Sequence, residues 1–137
     1  MTKKFIYDFL SRHKYAVLST VTKDHLPECA LVGFAVTKEL KIIFDTSRTT
    51  RKYQNLINNP AIALVIGWDK ERTVQYEGKV TVPNAKILDE LFDVYVKVFP
   101  EGRERRKLKD TVYCCIEPTW IRYSDFNTPG KIEEFTF

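Results

Sequence analysis

Three strand-forming segments follow one another early in the chain before a second helix is expected. They are residues 15–21, 29–36 and 41–45, each rich in β-branched and other apolar residues and separated by short polar turns. Short connections of this kind join antiparallel neighbours, whereas parallel strands need a long crossover. The pattern therefore predicts an antiparallel meander of three strands and disfavours a doubly wound α/β fold.

Helical periodicity marks three other segments. Residues 2–13 place their apolar side chains on one face, and Thr2 is available as an N-cap. Residues 49–59 begin at paired threonines and end before Pro60, and the longest series covers residues 84–99. We expect two short helices and a third, longer helix that covers the core.

The remaining regular segments are predicted strands. They are residues 61–67, 73–82, 111–123 and 131–137. Pro118 falls inside the third of these and indicates a bulge or an edge position, because proline cannot donate to a strand ladder. Mostly antiparallel strands with short helices between them favour a small barrel or curled sheet, since closure removes unpaired edges. The chain is thus predicted to be mainly β and to form one domain over residues 1–137.

The composition argues against several other classes of protein. The longest apolar run, residues 61–68, is too short to cross a bilayer, and the charged start MTKKF is unlike a signal peptide. We therefore expect a cytoplasmic protein without a membrane partner. The three cysteines are an odd number, and neither Cys-x-x-Cys nor His-x-x-x-His spacing occurs, so free thiols are expected and a metal site is not.

A basic segment, residues 101–110 with the sequence EGRERRKLKD, supplies half of the net charge of +4. Its five basic and three acidic residues admit two interpretations: a surface for an anionic partner such as nucleic acid, or a solvated loop or frayed helix end. Mixed signs without interleaved aromatic residues favour the loop or helix end. No nucleic-acid partner is expected.

The segment FDTSRTTRKYQNLINN violates a local rule of helix electrostatics. If the helix begins near Thr49 or Thr50, Arg51 and Lys52 fall in its first turn, where cations oppose the helix dipole. Two cations, free helix amides and up to three hydroxyls, including that of Thr46, would together suit a phosphate group. The alternative is that the threonines only cap the helix and the cations point into water.

Two further sets of residues share a strand face by the two-residue period of a strand. They are Thr73 with Gln75, and Trp120 with Arg122 and Ser124. Both sets can line a ligand site, but Gln75 can equally face solvent and Trp120 can belong to the core. Arg122 can also pair with Glu117 or Asp125. No glycine-rich phosphate loop, catalytic triad or nucleophile elbow is recognisable, so the residues alone assign no catalytic role.

Four strings of the sequence carry a family resemblance. They are LSTVTKDHLPECALVGFAV, IIFDTSRTTRKYQNLINNPAIALVIGW, TVQYEGKV and IEPTWIRYSDF. With these strings along nearly its whole length, the chain resembles the pyridoxamine 5′-phosphate oxidase-like, FMN-binding split-barrel family. The resemblance implies a six-stranded antiparallel split β-barrel that forms a homodimer, with FMN at the subunit interface.

Four positions resemble the residues that hold the flavin phosphate in members of that family. Arg51 and Lys52 match the cationic pair, and Thr46 and Thr50 match its hydroxyl and main-chain partners. This implied role agrees with the unusual placement of two cations at a helix start.

Three other positions resemble residues near the flavin ring. Gln75 is similar to a glutamine beside the isoalloxazine, while Trp120 and Arg122 are similar to residues that approach it from the other subunit. The resemblance implies a flavin-dependent oxidoreductase acting on a small molecule. The alternative is a module that binds or carries a flavin, a deazaflavin or haem without turnover.

Two departures from the family pattern bear on the substrate. The strand segment ECALVGFAV lacks the basic residues that the oxidases carry there, and the sequence ends in KIEEFTF where they have an Arg-x-His motif. The expected substrate is therefore a small molecule other than pyridoxamine 5′-phosphate.

Overall fold

The computed structural model describes residues 2–137, which form eight strands and four helices. The strands are β1 (Tyr15–Val21), β2 (Pro27–Gly33), β3 (Ala35–Val36), β4 (Ile42–Ser47), β5 (Ala61–Ile66), β6 (Arg72–Thr81), β7 (Thr111–Asp125) and β8 (Lys131–Thr136). The helices are α1 (Lys3–Leu10), α2 (Arg51–Asn58), α3 (Ala85–Val98) and α4 (Gly102–Arg105).

One antiparallel sheet organises the fold, with the strand order β2-β1-β5-β6-β7-β4-β3. The long strand β7 serves two partners along the same edge: its first half pairs with β4, and its second half pairs with β8. The sheet curls into a split β-barrel, which confirms the predicted fold class. The strands number eight rather than the six expected.

The predicted three-stranded meander is wrong beyond its first hairpin. β1 and β2 pair from Tyr15 opposite Gly33 to Val21 opposite Pro27, as expected. The chain then leaves the strand at Phe34, whose side chain is fully buried and whose amide donates to the carbonyl of Lys14 at 3.0 Å. Residues 29–36 are therefore not one strand, because the last two pair with β4 instead, and β2 remains at an edge of the sheet.

The bulge predicted at Pro118 is present in β7. Glu77 lies opposite Trp120, but the next residue, Gly78, lies opposite Pro118, so Thr119 has no partner on β6. A Cβ atom on Gly78 would lie 2.3 Å from the carbonyl oxygen of Glu117. Glycine is therefore required where the two strands come together beside the bulge.

The three helices predicted from periodicity are present, each shorter than its sequence pattern. Each begins after a capping side chain that accepts a hydrogen bond from an amide three residues on: Thr2 from Phe5, Thr50 from Tyr53, and Asn84 from Ile87. Capping thus fixes the start of α2 at Arg51 and places two cations at its first two positions.

The apolar core has two parts. The barrel interior contains Tyr76, which is fully buried and donates its hydroxyl proton to the carbonyl of Leu40 at 2.7 Å. A second cluster lies outside the barrel, where Phe92 and Tyr95 of α3, together with Phe99 just after the helix, pack over β3, β4 and β7. This helix covers a sheet face, as the periodicity predicted.

The basic segment 101–110 folds against the barrel. Arg105 donates from Nε to Asp45 Oδ2 at 2.7 Å, and Arg106 donates to Asp89 at 2.6 Å. Lys107 pairs with Glu104 at 3.2 Å. Three of its five cations are therefore ion-paired to carboxylates. The segment is a loop that contains a short helix of its own, Gly102–Arg105, rather than the frayed end of α3.

Candidate functional site

A cleft of about 610 Å³ opens between the β1–β2 hairpin and the beginning of α2. The hairpin supplies three of its six polar lining residues, and the N-cap and first two residues of α2 supply the other three. These residues are Thr20, Thr22, Glu28, Thr50, Arg51 and Lys52. The cleft therefore lies where the sequence pattern placed the candidate phosphate group.

The helical side of the cleft is electropositive. Arg51 and Lys52 are the first residues of α2, and the first turn contains no acidic residue. The side chain of Arg51 is 82% exposed, and Lys52 is half-buried. The first amides of a helix have no intrahelical acceptor and carry the positive end of its dipole. Two cations and free amides at one cleft form an arrangement that attracts an anion.

The two candidate threonines are used to build this helix start. The Thr50 hydroxyl donates to the carbonyl of Ser47 at 2.8 Å and accepts from the amide of Tyr53 at 3.3 Å. Because its one proton is committed, Thr46 must be the donor in the 3.0 Å contact between the two threonine Oγ1 atoms. Thr46 and Thr50 therefore fix the turn, leaving the cations and helix amides to receive an anion.

A buried polar network, absent from the sequence-based candidates, completes the opposite side of the cleft. Asn55 is buried and donates its side-chain amide to Thr20 Oγ1 at 3.0 Å and to Glu28 Oε1 at 2.7 Å. The second carboxylate oxygen of Glu28 forms an ion pair with Arg51. The sequence contained one signal for this network, because Glu28 shares a face of β2 with the apolar residues Ala30 and Val32. The other face of β2 is equally apolar, so the sequence did not show which face points inward.

The three residues expected near a flavin ring lie on the outer face of the same sheet. Gln75 lies directly opposite Arg122, and Trp120 lies two pairs along, opposite Glu77. Gln75 is exposed, whereas Trp120 and Arg122 are half-buried. The two-residue period places Trp120 and Arg122 on one face of β7, as expected, and the pairing of β6 with β7 brings Gln75 beside them.

Arg122 has a different carboxylate neighbour from the two considered in the sequence. Its Nε lies 3.6 Å from Oε1 of Glu134, which faces it from β8, whereas Asp125 pairs with Arg72 and Glu117 pairs with Lys41. Arg122 therefore pairs with neither Glu117 nor Asp125, because β8 places the carboxylate of Glu134 directly opposite it.

Two buried polar atoms on this face make no hydrogen bond within the described part of the chain. They are Nε of Arg122 and Oγ1 of Thr73. Thr73 precedes Gln75 by two residues and shares its face of β6. A buried polar atom left without a partner is unfavourable by about 1–3 kcal/mol. A ligand with polar atoms on this face would satisfy them.

The cleft and the sheet face adjoin across the edge strand β2. Cys29 lines the cleft and also a depression of about 140 Å³ that includes Gln75 and Trp120. Cross-strand pairing continues from Cys29 through Ser19 and onward across β5 and β6 to Trp120. The cleft that contains Arg51 and Lys52 thus adjoins the part of the sheet face that contains Gln75 and Trp120.

Comparison with known proteins places the chain in a family. The family described as pyridoxamine 5′-phosphate oxidase matches residues 2–125, from α1 to the end of β7. The chain belongs to the pyridoxamine 5′-phosphate oxidase family. This finding confirms the resemblance carried by the four sequence strings.

This family member matches nearly the whole length of one relative but only part of another. General stress protein 26 of Bacillus subtilis (strain 168) is 30% identical over 138 residues, which cover 96% of this chain and 95% of that protein. A pyridoxine/pyridoxamine 5′-phosphate oxidase of Leptospira interrogans is 34% identical over 76 residues, which cover 55% of this chain and 36% of that protein. The chain therefore matches about a third of the length of that oxidase.

The same fold occurs in a haem-binding protein from Mycobacterium smegmatis. Its structure superposes with a TM-score of 0.85 at 12% identity, covering 99% of this chain and 58% of that chain. The fold of this pyridoxamine 5′-phosphate oxidase family member is thus shared with a protein described as haem-binding.

The buried thiols of this family member are poor nucleophiles. Burial raises the pKa of Cys114 to about 12 and that of Cys115 to about 11. Both thiols are therefore protonated at neutral pH.

Other clefts and groups offer less to an anionic cofactor. A cleft of about 480 Å³ between α1, β3 and α3 carries Lys38 and Lys97, but Glu39 and Glu90 line it too. Among residues 2–137, no cluster of three or more His, Cys, Asp and Glu side chains is placed to hold a metal ion. Across the same residues, none of the helices has the length and apolar character needed to cross a bilayer.

Proposed function

We propose that this chain is an FMN-binding, flavin-dependent oxidoreductase that acts on a small molecule. The observation that carries the proposal is the pair Arg51 and Lys52 at the start of α2, lining a cleft in a member of this family. The two cations and the adjoining helix amides would hold the flavin phosphate. Thr46 and Thr50 would keep the turn in the required shape.

The ring end of a bound flavin fits the outer face of the sheet. A flavin ring offers hydrogen-bonding atoms along its edge. On this face Thr73 Oγ1 and Arg122 Nε are buried without a hydrogen bond, and the contact of Arg122 Nε with Glu134 is an ion pair at 3.6 Å. Gln75 would contact the ring edge and the indole of Trp120 would cover part of the ring. FMN would supply the transfer of a hydride, while these side chains bind it, orient it and exclude water.

The proposed assembly is a homodimer formed through the outer face of the sheet. Leu31, which is 64% exposed, lies beside Val17, and Val65, which is 39% exposed, lies on the other side of Val17. Exposed apolar side chains in one row favour a partner. A two-fold dimer through this face would bring Trp120 and Arg122 of one subunit towards the cleft of the other.

The substrate proposed is a small molecule other than pyridoxamine 5′-phosphate. Glu134 lies opposite Arg122 and offsets its positive charge. That face is therefore less suited to a second phosphate group than a cluster of unpaired cations would be. A cytoplasmic location is proposed on the basis of the free thiols of Cys29, Cys114 and Cys115.

A second candidate function is the binding or carriage of a flavin, a deazaflavin or haem without turnover. It is favoured by the fold shared with the haem-binding protein of Mycobacterium smegmatis. His13 lines the 480 Å³ cleft together with apolar residues that include Leu10 and Val94. That histidine is the side chain most suited to a haem iron.

The visible absorption spectrum distinguishes the candidates. The protein is recorded as purified and after addition of FMN, with gel filtration of the same sample. The proposal predicts a flavin spectrum that co-elutes with a dimer, and reduced flavin that a substrate reoxidises faster than oxygen alone does. A haem spectrum, or no binding of added FMN, would contradict the FMN assignment.

A further inference from the structure

Glu28 lies within the candidate phosphate site, although an acid there opposes the binding of an anion. Its side chain is 17% exposed and lines the cleft together with Arg51 and Lys52. One carboxylate oxygen accepts from Asn55 at 2.7 Å, and the other is paired with Arg51. Both oxygens of the acid are therefore held in place.

The anchor of this carboxylate is itself fixed. Asn55 is buried one helical turn after Arg51, and its amide also donates to Thr20 Oγ1 at 3.0 Å. The helix thus presents a cation and an amide to one carboxylate on β2. A carboxylate that accepts hydrogen bonds from a guanidinium uses the donors that a phosphate would use.

We propose that Glu28 is an internal counter-ion that holds Arg51 in the free protein and competes with the ligand phosphate for it. This inference rests on the proposed phosphate site. A phosphate that binds the cleft must exchange places with the carboxylate on Arg51, and it must then tolerate a negative charge beside it. Glu28 therefore weakens binding of the phosphate end and selects against ligands with more negative charge there.

The opposite role would be that of a positioning residue, in which Glu28 orients Arg51 for the phosphate. The two roles predict opposite changes in phosphate affinity when the carboxylate is removed. Removing a competitor strengthens phosphate binding, whereas removing a positioning group weakens it.

The experiment measures the affinities of FMN and riboflavin for the wild type, Glu28→Gln and Glu117→Gln by quenching of flavin fluorescence. Glutamine keeps an oxygen that accepts from Asn55 while removing the charge. Glu117→Gln is the matched control, because it also removes a carboxylate that is paired with a cation, Lys41, away from this cleft. Riboflavin lacks the phosphate and reports effects that do not involve it.

We expect Glu28→Gln to bind FMN about five- to tenfold more tightly than the wild type, because a charge near a partly exposed pair is screened by solvent. Riboflavin affinity should stay the same, and Glu117→Gln should match the wild type. The gain should shrink when Arg51→Ala is present in both proteins. Glu28→Ala, a second neutral variant, should change FMN affinity in the same direction.

Two results would overturn separate parts of the account. If the wild type prefers FMN to riboflavin and the neutral variants bind FMN equally or less tightly, the counter-ion role is wrong and the phosphate site stands. If neither the wild type nor Glu28→Gln prefers FMN to riboflavin, the phosphate site itself is wrong.

Discussion

The Oγ1 atoms of Thr46 and Thr50 lie 3.0 Å apart and join the end of β4 to the first turn of α2. Thr50 also caps the amide of Tyr53, so one hydroxyl links the sheet, the turn and the helix. This link positions Arg51 and Lys52 at the mouth of the cleft. The shape of the proposed phosphate site therefore depends on two side chains that need not contact the phosphate.

Replacement of Thr50 tests this dependence. Thr50→Ala should lower the free energy of unfolding by about 1 kcal/mol, as loss of an N-cap does. It should also weaken FMN binding, because the first turn of α2 loses its anchor. Urea unfolding and FMN titration measure the two effects. Thr50→Ser keeps the capping oxygen and should retain both properties; equal losses in both variants would show that the hydroxyl is not responsible.

The ion pair between Arg105 and Asp45 should stabilise the fold without affecting the cofactor. Arg105 also donates to the hydroxyl of Tyr95 at 3.1 Å, and its side chain is 35% exposed. Arg105→Ala should lower the free energy of unfolding by about 1–2 kcal/mol, because Asp45 loses its charged donor. Lys107→Ala removes an exposed ion pair and should change the free energy of unfolding by about 0.5 kcal/mol or less. Urea unfolding of both variants checks the difference, and equal values would contradict it.

Stability should fall at alkaline pH because of the buried thiols. Burial raises the pKa of Cys114 from 9.0 to about 12. The folded protein then retains a proton that the unfolded chain releases, so this stabilisation is complete below pH 9 and is lost as the pH rises towards the folded value. Each such thiol reduces the free energy of unfolding by up to about 1.4 kcal/mol per pH unit in that window.

Urea unfolding between pH 8 and pH 11 measures this slope. Cys114→Ala should make the decline shallower, and Cys29→Ala, which removes an exposed thiol, is the matched control. An identical decline in the wild type and Cys114→Ala would rule out the buried thiol as a source of the pH dependence.

The local elements of the fold were predictable because their signals are local. Thr2, Thr50 and Asn84 mark helix starts by capping chemistry, and Pro118 marks the bulge. The partner of β4 was not predictable in the same way. The strand β2 ends where Phe34 becomes buried, and the next two residues pair with β4 at the other edge of the sheet. The burial of Phe34 requires the assembled barrel, so its position could not be read from the local sequence.

The candidate site shows the same division. Arg51 and Lys52 were identifiable because they oppose the helix dipole, a conflict visible in the sequence. The contacts of Asn55 could not be identified from the sequence, because its partners lie 35 and 27 residues away, on β1 and β2. An ion pair of Arg122 with Glu117 or Asp125 was one alternative in the sequence, but the pairing of β7 with β8 places Glu134 opposite Arg122 instead.

The most direct test of the account is the affinity of Arg51→Ala/Lys52→Ala for FMN and riboflavin. Lys38→Ala/Lys97→Ala, which removes two lysines from the cleft between α1 and α3, is the matched control. We expect that the wild type and the control prefer FMN to riboflavin, and that Arg51→Ala/Lys52→Ala remains folded but loses this preference. An unchanged FMN affinity in Arg51→Ala/Lys52→Ala would contradict the central claim that these two cations hold a flavin phosphate.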